Sequence, residues 1–313
     1  MSATSGPRPV AVELNAVLVA LIGDDPQVLT LEDGALLPSG PFESDHPTLQ
    51  TGVRAWVERQ THHPLGYVEQ LYTFADRYRE STMGYRIVSI SYLGLTRELA
   101  AAGQHEPGWQ SFYRYFPWED WRDGPPKSLA RAVLPRLKGW VEAVSDAARR
   151  ERRQRVDGTF DIDAWNEELV LQRYELLYEA GLVPEAGLVP EAGRPRKPVA
   201  DPVPGEPMRY DHRRILATGI ARLRAKIKYR PVVFELMPPD FTLGQLQRAV
   251  EALAGRPLHK QNFRRQVEQQ GLVEETGAST AGTGGRPAKL YRFRREIVLE
   301  RAVAGSKLPL ARS

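Results

Sequence analysis

The chain has 313 residues, of which 42% are hydrophobic, so it is long enough for two or three domains with buried cores. It contains no cysteine, which excludes disulfide bonds, thiolate zinc sites and cysteine nucleophiles and is compatible with a reducing cytoplasm. The net charge of +4 is uneven: residues 209–313 carry 21 Lys and Arg against 9 Asp and Glu. This end suits a polyanionic partner, although a well-solvated basic domain would explain the charge equally well.

The first residues lack a basic segment followed by an apolar one, so they do not resemble a signal peptide. The longest apolar run, around residues 16–22, is too short to cross a bilayer. We therefore expect a cytoplasmic protein with no membrane partner.

The first half is predicted to alternate strands and helices. Residues 12–22 and 28–32 are rich in β-formers, and Asp33-Gly34 is a two-residue hairpin signal. A helix is predicted over residues 48–60, where apolar side chains recur on one face. The remaining elements are predicted as strands at 67–74 and 87–95, an aromatic segment at 109–121, and helices at 128–153 and 162–180.

Residues 180–207 are predicted to be an exposed linker. The hexamer AGLVPE occurs there twice in tandem, followed by a proline-rich run that neither a helix nor a central strand can accommodate. We expect the segment to act only as a spacer.

An amphipathic helix is predicted over residues 211–228, because Leu216, Ile220, Leu223 and Ile227 fall on one side of it. The stripe can pack within its own subunit or against a second copy of the chain, and the sequence leaves both possibilities open.

The order of elements after residue 240 predicts a winged helix. Asp240 or Thr242 can cap a first helix, Gly255 ends it, and a second helix is predicted over residues 259–270. Gly271 ends that helix, and a hairpin with a glycine-rich loop follows. A structural domain whose basic face is only solvated is the alternative.

The second helix of this module is predicted to read base edges. Phe263 and Val267 point inward, which leaves Gln261 and Arg265 on the opposite side. Arginine can donate twice to guanine, and glutamine or asparagine can pair with adenine. The residues predicted to contact double-stranded DNA are Thr242, Gln245, Lys260, Gln261, Asn262, Arg264, Arg265, Arg286 and Lys289.

Residues 40–61 can be laid on the Nudix box, in which a glycine leads through a loop into a helix carrying Arg-Glu and Glu-Glu. Gly40, Arg54 and Glu58 match this pattern. The other carboxylate positions and the trailing glycine hold different residues, namely His46, Ala55, Arg59 and Thr61. One carboxylate beside a cation is a poor magnesium site, so we predict no catalytic residue, no metal and no required cofactor.

A Nudix-like domain followed by this winged helix resembles the Nudix-related transcriptional regulators of NAD metabolism, the NrtR family. The C-terminal run FTLGQLQRAVEALAGRPLHKQNFRRQVEQQGLVEETG is similar to that family's pattern, while the eroded box and the PWEDWRDG insert look more like the alphaproteobacterial NAD-synthesis repressors, NadQ. The resemblance implies a homodimeric repressor of NAD biosynthesis genes that senses a nucleotide such as NAD, ADP-ribose or ATP. An active Nudix pyrophosphohydrolase acting on ADP-ribose or a dinucleotide, with an accessory DNA-binding domain, is the alternative.

The fold expected from these observations is α+β, with a Nudix-like α/β/α sandwich around a mixed sheet and a C-terminal winged helix-turn-helix domain. We expect a ligand-sensing domain at residues 1–155, a helical annex and linker at 156–207, and a linker helix with the winged helix at 208–313. The candidate ligand-binding residues are Arg54, Glu58, Arg77, Arg79 and Arg86.

Each candidate ligand-binding residue has an ordinary alternative. The arginines can simply be exposed, and Arg54 can pair with Glu58 one turn further along its helix. A tryptophan cluster can stack an adenine or close a core or a dimer interface; its members are Trp109, Trp118 and Trp121. The adjacent His62 and His63 do not have the spacing of metal ligands on a helix.

Overall fold

The structure is a computed structural model that describes residues 10–62, 65–75, 86–97, 108–187, 198–280, 287–294 and 296. Its front part contains a sheet of six strands: β1 (Val10–Ile22), β2 (Asp25–Leu29), β3 (Ser39–Pro41), β4 (Tyr67–Phe74), β5 (Arg86–Leu95) and β6 (Trp109–Ser111). The strand order is β4-β5-β1-β2-β6, with β3 also paired to β1. Strands β1 and β5 run parallel and the other pairs are antiparallel, so the predicted mixed sheet is confirmed.

Helix α1 (Leu49–Thr61) covers one face of this sheet. It begins at Thr48, whose side chain accepts from the amide of Thr51 while the Thr51 hydroxyl accepts from the amide of Thr48. Because side chains alternate along a strand, Leu14 and Leu18 of β1 pack with α1.

Helix α6 (His212–Tyr229) covers the opposite face. The apolar stripe predicted from the sequence is confirmed, and its members Leu216, Ile220 and Leu223 are buried inside the chain's own core. Gly219 lets the helix approach Val17 of β1, because a Cβ there would lie 2.8 Å from the valine side chain. The sheet between α1 and α6 is the predicted α/β/α sandwich.

The helical region between the sheet and the linker is divided into more and shorter helices than predicted. They are α2 (Phe112–Tyr115), a π-helical turn (Leu129–Val133) leading into α3 (Leu134–Glu142), α4 (Asp146–Thr159) and α5 (Val170–Glu179). The predicted helix over 128–153 is interrupted because Ser145 is extended. Helix α5 begins eight residues later than predicted, since the side chains of Asp161 and Asn166 accept backbone amides two or three residues ahead of them and hold local turns instead.

The tight turn between β1 and β2 lies at Gly23-Asp24, where Ile22 pairs with Asp25 and Gly23 has φ +62°. The hairpin predicted at Asp33-Gly34 is instead a wider turn, closed by a bridge between Leu31 and Leu36. Asp33-Gly34 thus marks a turn, as its composition indicates, but the two-residue hairpin lies elsewhere.

The proline-rich segment is not the freely exposed linker that the sequence predicts. Glu185 is buried, and its carboxylate accepts the amide of Met208 at 3.0 Å. Val183, Val203 and Met208 belong to the core. The segment packs because Glu185 finds both a backbone donor and a cation, Arg213, at 3.4 Å. Residues 188–197 lie outside the described ranges.

The C-terminal part is a winged helix, as predicted. Its elements are β7 (Asp240–Phe241), α7 (Leu243–Ala254), α8 (Lys260–Gln270), β8 (Val273–Ser279) and β9 (Lys289–Phe293). The three strands form a sheet in the order β7-β9-β8. Phe234, in a 3-10 turn before β7, stacks on Phe293 at 4.1 Å between ring centroids and so ties the start of the module to its end.

The α+β class and the C-terminal winged helix are therefore both confirmed. Within the described ranges, no helix is long and apolar enough to cross a membrane.

Candidate nucleic-acid interface

Local capping fixes the two helices of the winged helix. Thr242 is the N-cap of α7 and exchanges hydrogen bonds with Gln245, which forms a capping box. Gly255 ends α7 in the left-handed region at φ +71°. The carboxylate of Glu251 accepts the amide of Leu258 at 2.8 Å, so the turn into α8 is also fixed.

Helix α8 presents a polar face to solvent. Phe263 and Val267 are half-buried against the core, whereas Gln261, Asn262 and the following arginines are exposed. Arg265 reaches Asn262 only through a long hydrogen bond of 3.4 Å, which leaves most of its donors available. The residues predicted on this face and found exposed are Lys260, Gln261, Asn262, Arg264 and Arg265. Such a face carries the donors and acceptors that major-groove edges require.

Two of the predicted DNA contacts belong to the cap of α7. Thr242 and Gln245 form the α7 cap, so a DNA contact would have to add to that role or replace it. Their contact with DNA stays a prediction, as it does for the residues of α8.

The wing carries cations that are paired with acids. Lys289 donates to Glu275 at 2.8 Å, and this hydrogen bond raises the pKa of the exposed Lys289 ammonium. Arg292 pairs with Asp240 at 3.3 Å. Lys289 would therefore exchange Glu275 for a phosphate on binding DNA. Arg286, also predicted to contact DNA, lies outside the described residues.

A buried ion network joins the winged helix to the front domain. Glu119 lies in the aromatic insert and accepts hydrogen bonds from Arg173 of α5 at 2.6 Å and from Arg224 of α6 at 2.7 Å. All three side chains are 1% exposed or less. Arg224 also donates to the carbonyl of Leu253 in α7 at 3.0 Å, which extends the network into the helix-turn-helix.

Two further bonds end on the last turn of α7. The Tyr113 hydroxyl donates to the carbonyl of Ala252 at 2.5 Å, and the amide of Trp121 donates to Gly255 at 2.6 Å. Carbonyls at the C-terminus of a helix lack partners within it, and here the front domain supplies them. Sequence reasoning missed this contact because its members are far apart in the chain.

The segment resembling the Nudix box has structural contacts of its own. Arg54 donates to the backbone carbonyls of Leu65 and of Gly66, the latter at 3.0 Å, instead of pairing with Glu58 as considered from the sequence. The reason is that Leu65 and Gly66, just before β4, place their carbonyls beside the guanidinium. Glu58 is exposed, and among the described residues it has no ion pair.

The residues around Glu58 do not fit a magnesium site. The Arg59 guanidinium lies over the Trp56 ring, 3.7 Å from its centroid, and the indole NH of Trp56 donates to Pro41 at 2.8 Å. Gly40 is needed because a Cβ there would overlap the same indole. At two positions where the box has metal-binding carboxylates, this helix has Ala55 and Arg59, and Arg59 instead lies over the Trp56 ring that holds the preceding loop.

One group of three possible metal ligands occurs in the described part of the chain: Glu43, Asp45 and His46. The Nδ1 atom of His46 already accepts the amide of Glu43 at 3.1 Å, so only Nε2 remains for an ion. We assign no metal to this loop.

The remaining candidate arginines, tryptophans and histidines of the front domain lie apart from one another. Arg86 is exposed and donates to the carbonyl of Ala75 at 2.7 Å, while Arg77, Arg79 and His63 lie outside the described residues. Trp118 is fully buried in the core, and Trp121 lies 4.4 Å from Trp165 between ring centroids. Trp109 packs with the α1 side of the sheet, and His62 is the exposed C-cap of α1. The tryptophans thus do not form an open stacking site.

Comparison with known proteins concentrates on the C-terminal module. Residues 233–293 match the family described as the NrtR DNA-binding winged helix domain. The ADPR responsive transcriptional repressor NtrR of Acinetobacter baylyi is 45% identical to this chain over 84 residues, which are 27% of this chain and 33% of that protein. The matched stretch thus spans about a third of that relative's length.

Two solved structures overlay on most of the chain. One is Shewanella oneidensis NrtR complexed with a 27mer DNA, at 22% identity and a TM-score of 0.49, covering 90% of this chain and 93% of the other. The second is a MutT/nudix family protein from Enterococcus faecalis, at 17% identity and a TM-score of 0.49, covering 91% and 88%. The family match coincides with the helix-turn-helix and wing described above, so residues 233–293 are similar in sequence and in element order to the NrtR DNA-binding winged helix domain.

Proposed function

We propose that this chain is a ligand-responsive transcriptional repressor of NAD biosynthesis genes that acts in the cytoplasm. The winged helix carries this proposal, because its family match coincides with an exposed polar face on α8. The repressor name of the Acinetobacter baylyi relative supports the regulatory role. The protein binds double-stranded operator DNA as a homodimer, since two copies of a winged helix can read two half-sites.

The front domain senses a nucleotide, and ADP-ribose is favoured over NAD and ATP because the relative is named ADPR responsive. In the proposed function, the front domain binds the nucleotide without hydrolysing it. The only carboxylate left of the box, Glu58, stands next to Arg59, and a cation at that position opposes the binding of divalent metal. The eroded box and the PWEDWRDG insert also support a closer relationship to the NadQ repressors.

We propose a domain boundary that follows the packing. Helix α6 belongs with the sheet it covers, so the ligand-sensing unit includes α6, and the DNA-binding unit begins near Pro231. Under the division at residue 208 predicted from the sequence, α6 would be separated from the core that buries it.

Ligand response requires a physical link between the two units, and the network around Glu119 supplies it. Arg224 binds Glu119 and the end of α7 with the same guanidinium. A shift of α6 would therefore change the hydrogen bonds that hold the winged helix.

The experiment is a mobility-shift titration with promoter DNA of NAD-synthesis genes and of the chain's own gene, with and without ADP-ribose. We expect salt-sensitive, sequence-preferring binding that changes with ligand, and light scattering should give the mass of a dimer. Failure to prefer any promoter over scrambled DNA, in every nucleotide background, would contradict the proposal.

A hydrolysis assay tests separately the proposal that the chain has no pyrophosphohydrolase activity. ADP-ribose or a dinucleotide incubated with the protein and magnesium should remain intact. Turnover that disappears in Glu58→Gln would instead establish a working pyrophosphohydrolase.

A further inference from the structure

Two residues on the polar face of α8 are hydrogen-bonded to each other. Arg265 donates from Nη2 to the Oδ1 atom of Asn262, three residues earlier in the helix, at 3.4 Å. Side chains lean toward the N-terminus of a helix, so the side chain of Arg265 extends back over the turn that carries Asn262. Both side chains are exposed, and the bond therefore lies on the face proposed to meet DNA.

Arg265 keeps its full positive charge in this arrangement. In the part of the chain that the structure describes, no carboxylate pairs with Arg265, not even that of Glu268 one turn further along the exposed side of α8. An amide oxygen accepts a hydrogen bond from a guanidinium without neutralising it. Asn262 therefore restricts the side chain of Arg265 without reducing its attraction to the phosphates of DNA.

The bond leaves Arg265 able to recognise guanine. A guanidinium has five N–H donors in a fixed plane, and Asn262 accepts only one of them, from Nη2. Recognition of guanine uses two parallel bonds, to O6 and N7, so the remaining donors are sufficient. A long side chain loses rotamer freedom when it binds, and a neighbour that already restricts its rotamers lowers that cost.

The same bond opposes the recognition of a base by Asn262 itself. Pairing with adenine requires the amide to accept from N6 through Oδ1 and to donate to N7 through Nδ2. In Asn262 the Oδ1 atom already accepts from Arg265, so an adenine edge would compete with the guanidinium for it. Gln261 has no hydrogen bond with Arg264 or Arg265 among the described residues, and its amide stays available for adenine.

We propose that Asn262 is a positioning residue, which holds the Arg265 guanidinium in the orientation that recognises one guanine and contacts no base of its own. This inference rests on the proposed function and deepens it, because it assigns the sequence preference at one base pair to two residues acting together. It differs from the adenine contact that the sequence alone suggests for Asn262.

Substitutions at position 262 should leave the helix intact. Asn262 is exposed in the first turn of α8, where alanine has the higher helix propensity and a negative charge is favoured by the helix dipole. We therefore expect Asn262→Ala and Asn262→Asp to unfold at or above the melting temperature of the wild type, which circular dichroism measures.

Fluorescence anisotropy on the full chain tests the proposal with a promoter duplex and a set of duplexes that each carry one base-pair substitution. Arg265→Ala identifies the guanine, since it should lose discrimination by about 5- to 140-fold at one base pair. Asn262→Ala should lose about 2- to 10-fold at that same base pair, because Arg265 is no longer restricted. The double variant Asn262→Ala/Arg265→Ala should discriminate as well as Arg265→Ala alone.

Asn262→Asp separates the positioning role from a merely structural one. Aspartate keeps the acceptor that Arg265 uses but adds a negative charge, so this variant should bind every duplex more weakly. Its discrimination at the Arg265 base pair should equal or exceed that of the wild type. Gln266→Ala is the matched control, because Gln266 is exposed on α8 and has no hydrogen bond with Arg265 within the described ranges. It should retain the discrimination of the wild type.

Other results would overturn the proposal. If Asn262→Ala loses discrimination at a different base pair, or if the effects of the two single variants multiply in the double variant, Asn262 recognises a base of its own. If Asn262→Ala discriminates as well as the wild type, or Asn262→Asp as poorly as Asn262→Ala, the bond does not orient Arg265. These outcomes leave sequence-specific DNA binding standing, whereas a wild type without any base-pair preference contradicts the proposed function and this inference with it.

Discussion

Glu119 accepts a hydrogen bond from Arg224 at 2.7 Å, and both side chains are 1% exposed. Because Arg173 binds the same carboxylate at 2.6 Å, one buried negative charge lies between two buried positive charges. The remaining donors of the arginines are satisfied by backbone carbonyls, including Leu253 of the winged helix and Glu167. The front domain and the DNA-binding unit thus share one charge network.

We predict that Glu119→Gln lowers the free energy of unfolding by about 3–5 kcal/mol, because it keeps the shape of the side chain but leaves two arginines buried without a counter-charge. Urea denaturation measures the change. Glu142→Gln is the control, since Glu142 is exposed and pairs with Arg153 on the surface, where such pairs contribute only about 0–1 kcal/mol. Equal effects of the two variants would mean that the buried network does not stabilise the fold.

The Tyr113 hydroxyl should make stability fall at alkaline pH. Burial raises the pKa of Tyr113 to about 12, whereas the unfolded chain titrates near its ordinary value of about 10. The folded state therefore retains the proton, and this stabilisation is complete below pH 10 and lost as the pH rises from about 10 to 12.

The variant Tyr113→Phe isolates that contribution. Between pH 8 and pH 11 the wild type should lose about 1 kcal/mol more unfolding free energy than the variant. At pH 7 the variant should be less stable by about 1 kcal/mol, because the hydrogen bond to Ala252 is gone. If the unfolding free energies of the two proteins changed with pH by the same amount, the buried environment assigned to the Tyr113 hydroxyl would be wrong.

Gly40 is predicted to be intolerant of a side chain because of the Trp56 indole rather than because of its backbone. A Cβ at position 40 would overlap the ring, so Gly40→Ala should destabilise the protein by about 1–3 kcal/mol. At Gly139 in α3 a Cβ would meet no other atom within 4 Å, and Gly139→Ala should be neutral or stabilise by up to about 1 kcal/mol. Chemical denaturation of both variants measures the two changes in unfolding free energy. If Gly40→Ala does not change the stability, the loop before α1 can move to accommodate the added Cβ.

The C-terminal helices could be predicted from the sequence because their signals are local. Thr242, Gly255 and Gly271 each determine the backbone within a few residues, and the structure places helix ends at all three. The two-residue strand β7 was missed, since so short a segment has no periodicity.

The sequence does not reveal the network around Glu119, because the partners of that carboxylate lie 54 and 105 residues away in the chain. Buried arginines also have no signature in composition, and an arginine is ordinarily expected at the surface. Arg222 and Lys226 can be read from the sequence as basic residues on one side of α6, but only the folded structure brings β4 beside them.

Lys289 is predicted to contribute to DNA affinity without contributing to sequence preference. Lys289→Ala should weaken binding to promoter and scrambled DNA by the same factor and reduce the salt slope by about one. Glu275→Gln should instead strengthen binding to both promoter and scrambled DNA, because the carboxylate that pairs with Lys289 competes with phosphate for that ammonium group. Fluorescence anisotropy at several salt concentrations measures both effects. A change in the preference for one sequence would place Lys289 at a base edge instead.

The most direct test of the central claim is fluorescence anisotropy of wild type and Arg265→Ala on promoter and scrambled duplexes at one salt concentration. We predict that the wild type prefers the promoter and that Arg265→Ala loses about 1–3 kcal/mol of that preference, with little change on scrambled DNA. Arg150→Ala, which removes an exposed arginine of α4 outside the winged helix, should retain the full preference. Undiminished discrimination by Arg265→Ala, or no discrimination by the wild type, would contradict the reading of DNA through this face of α8.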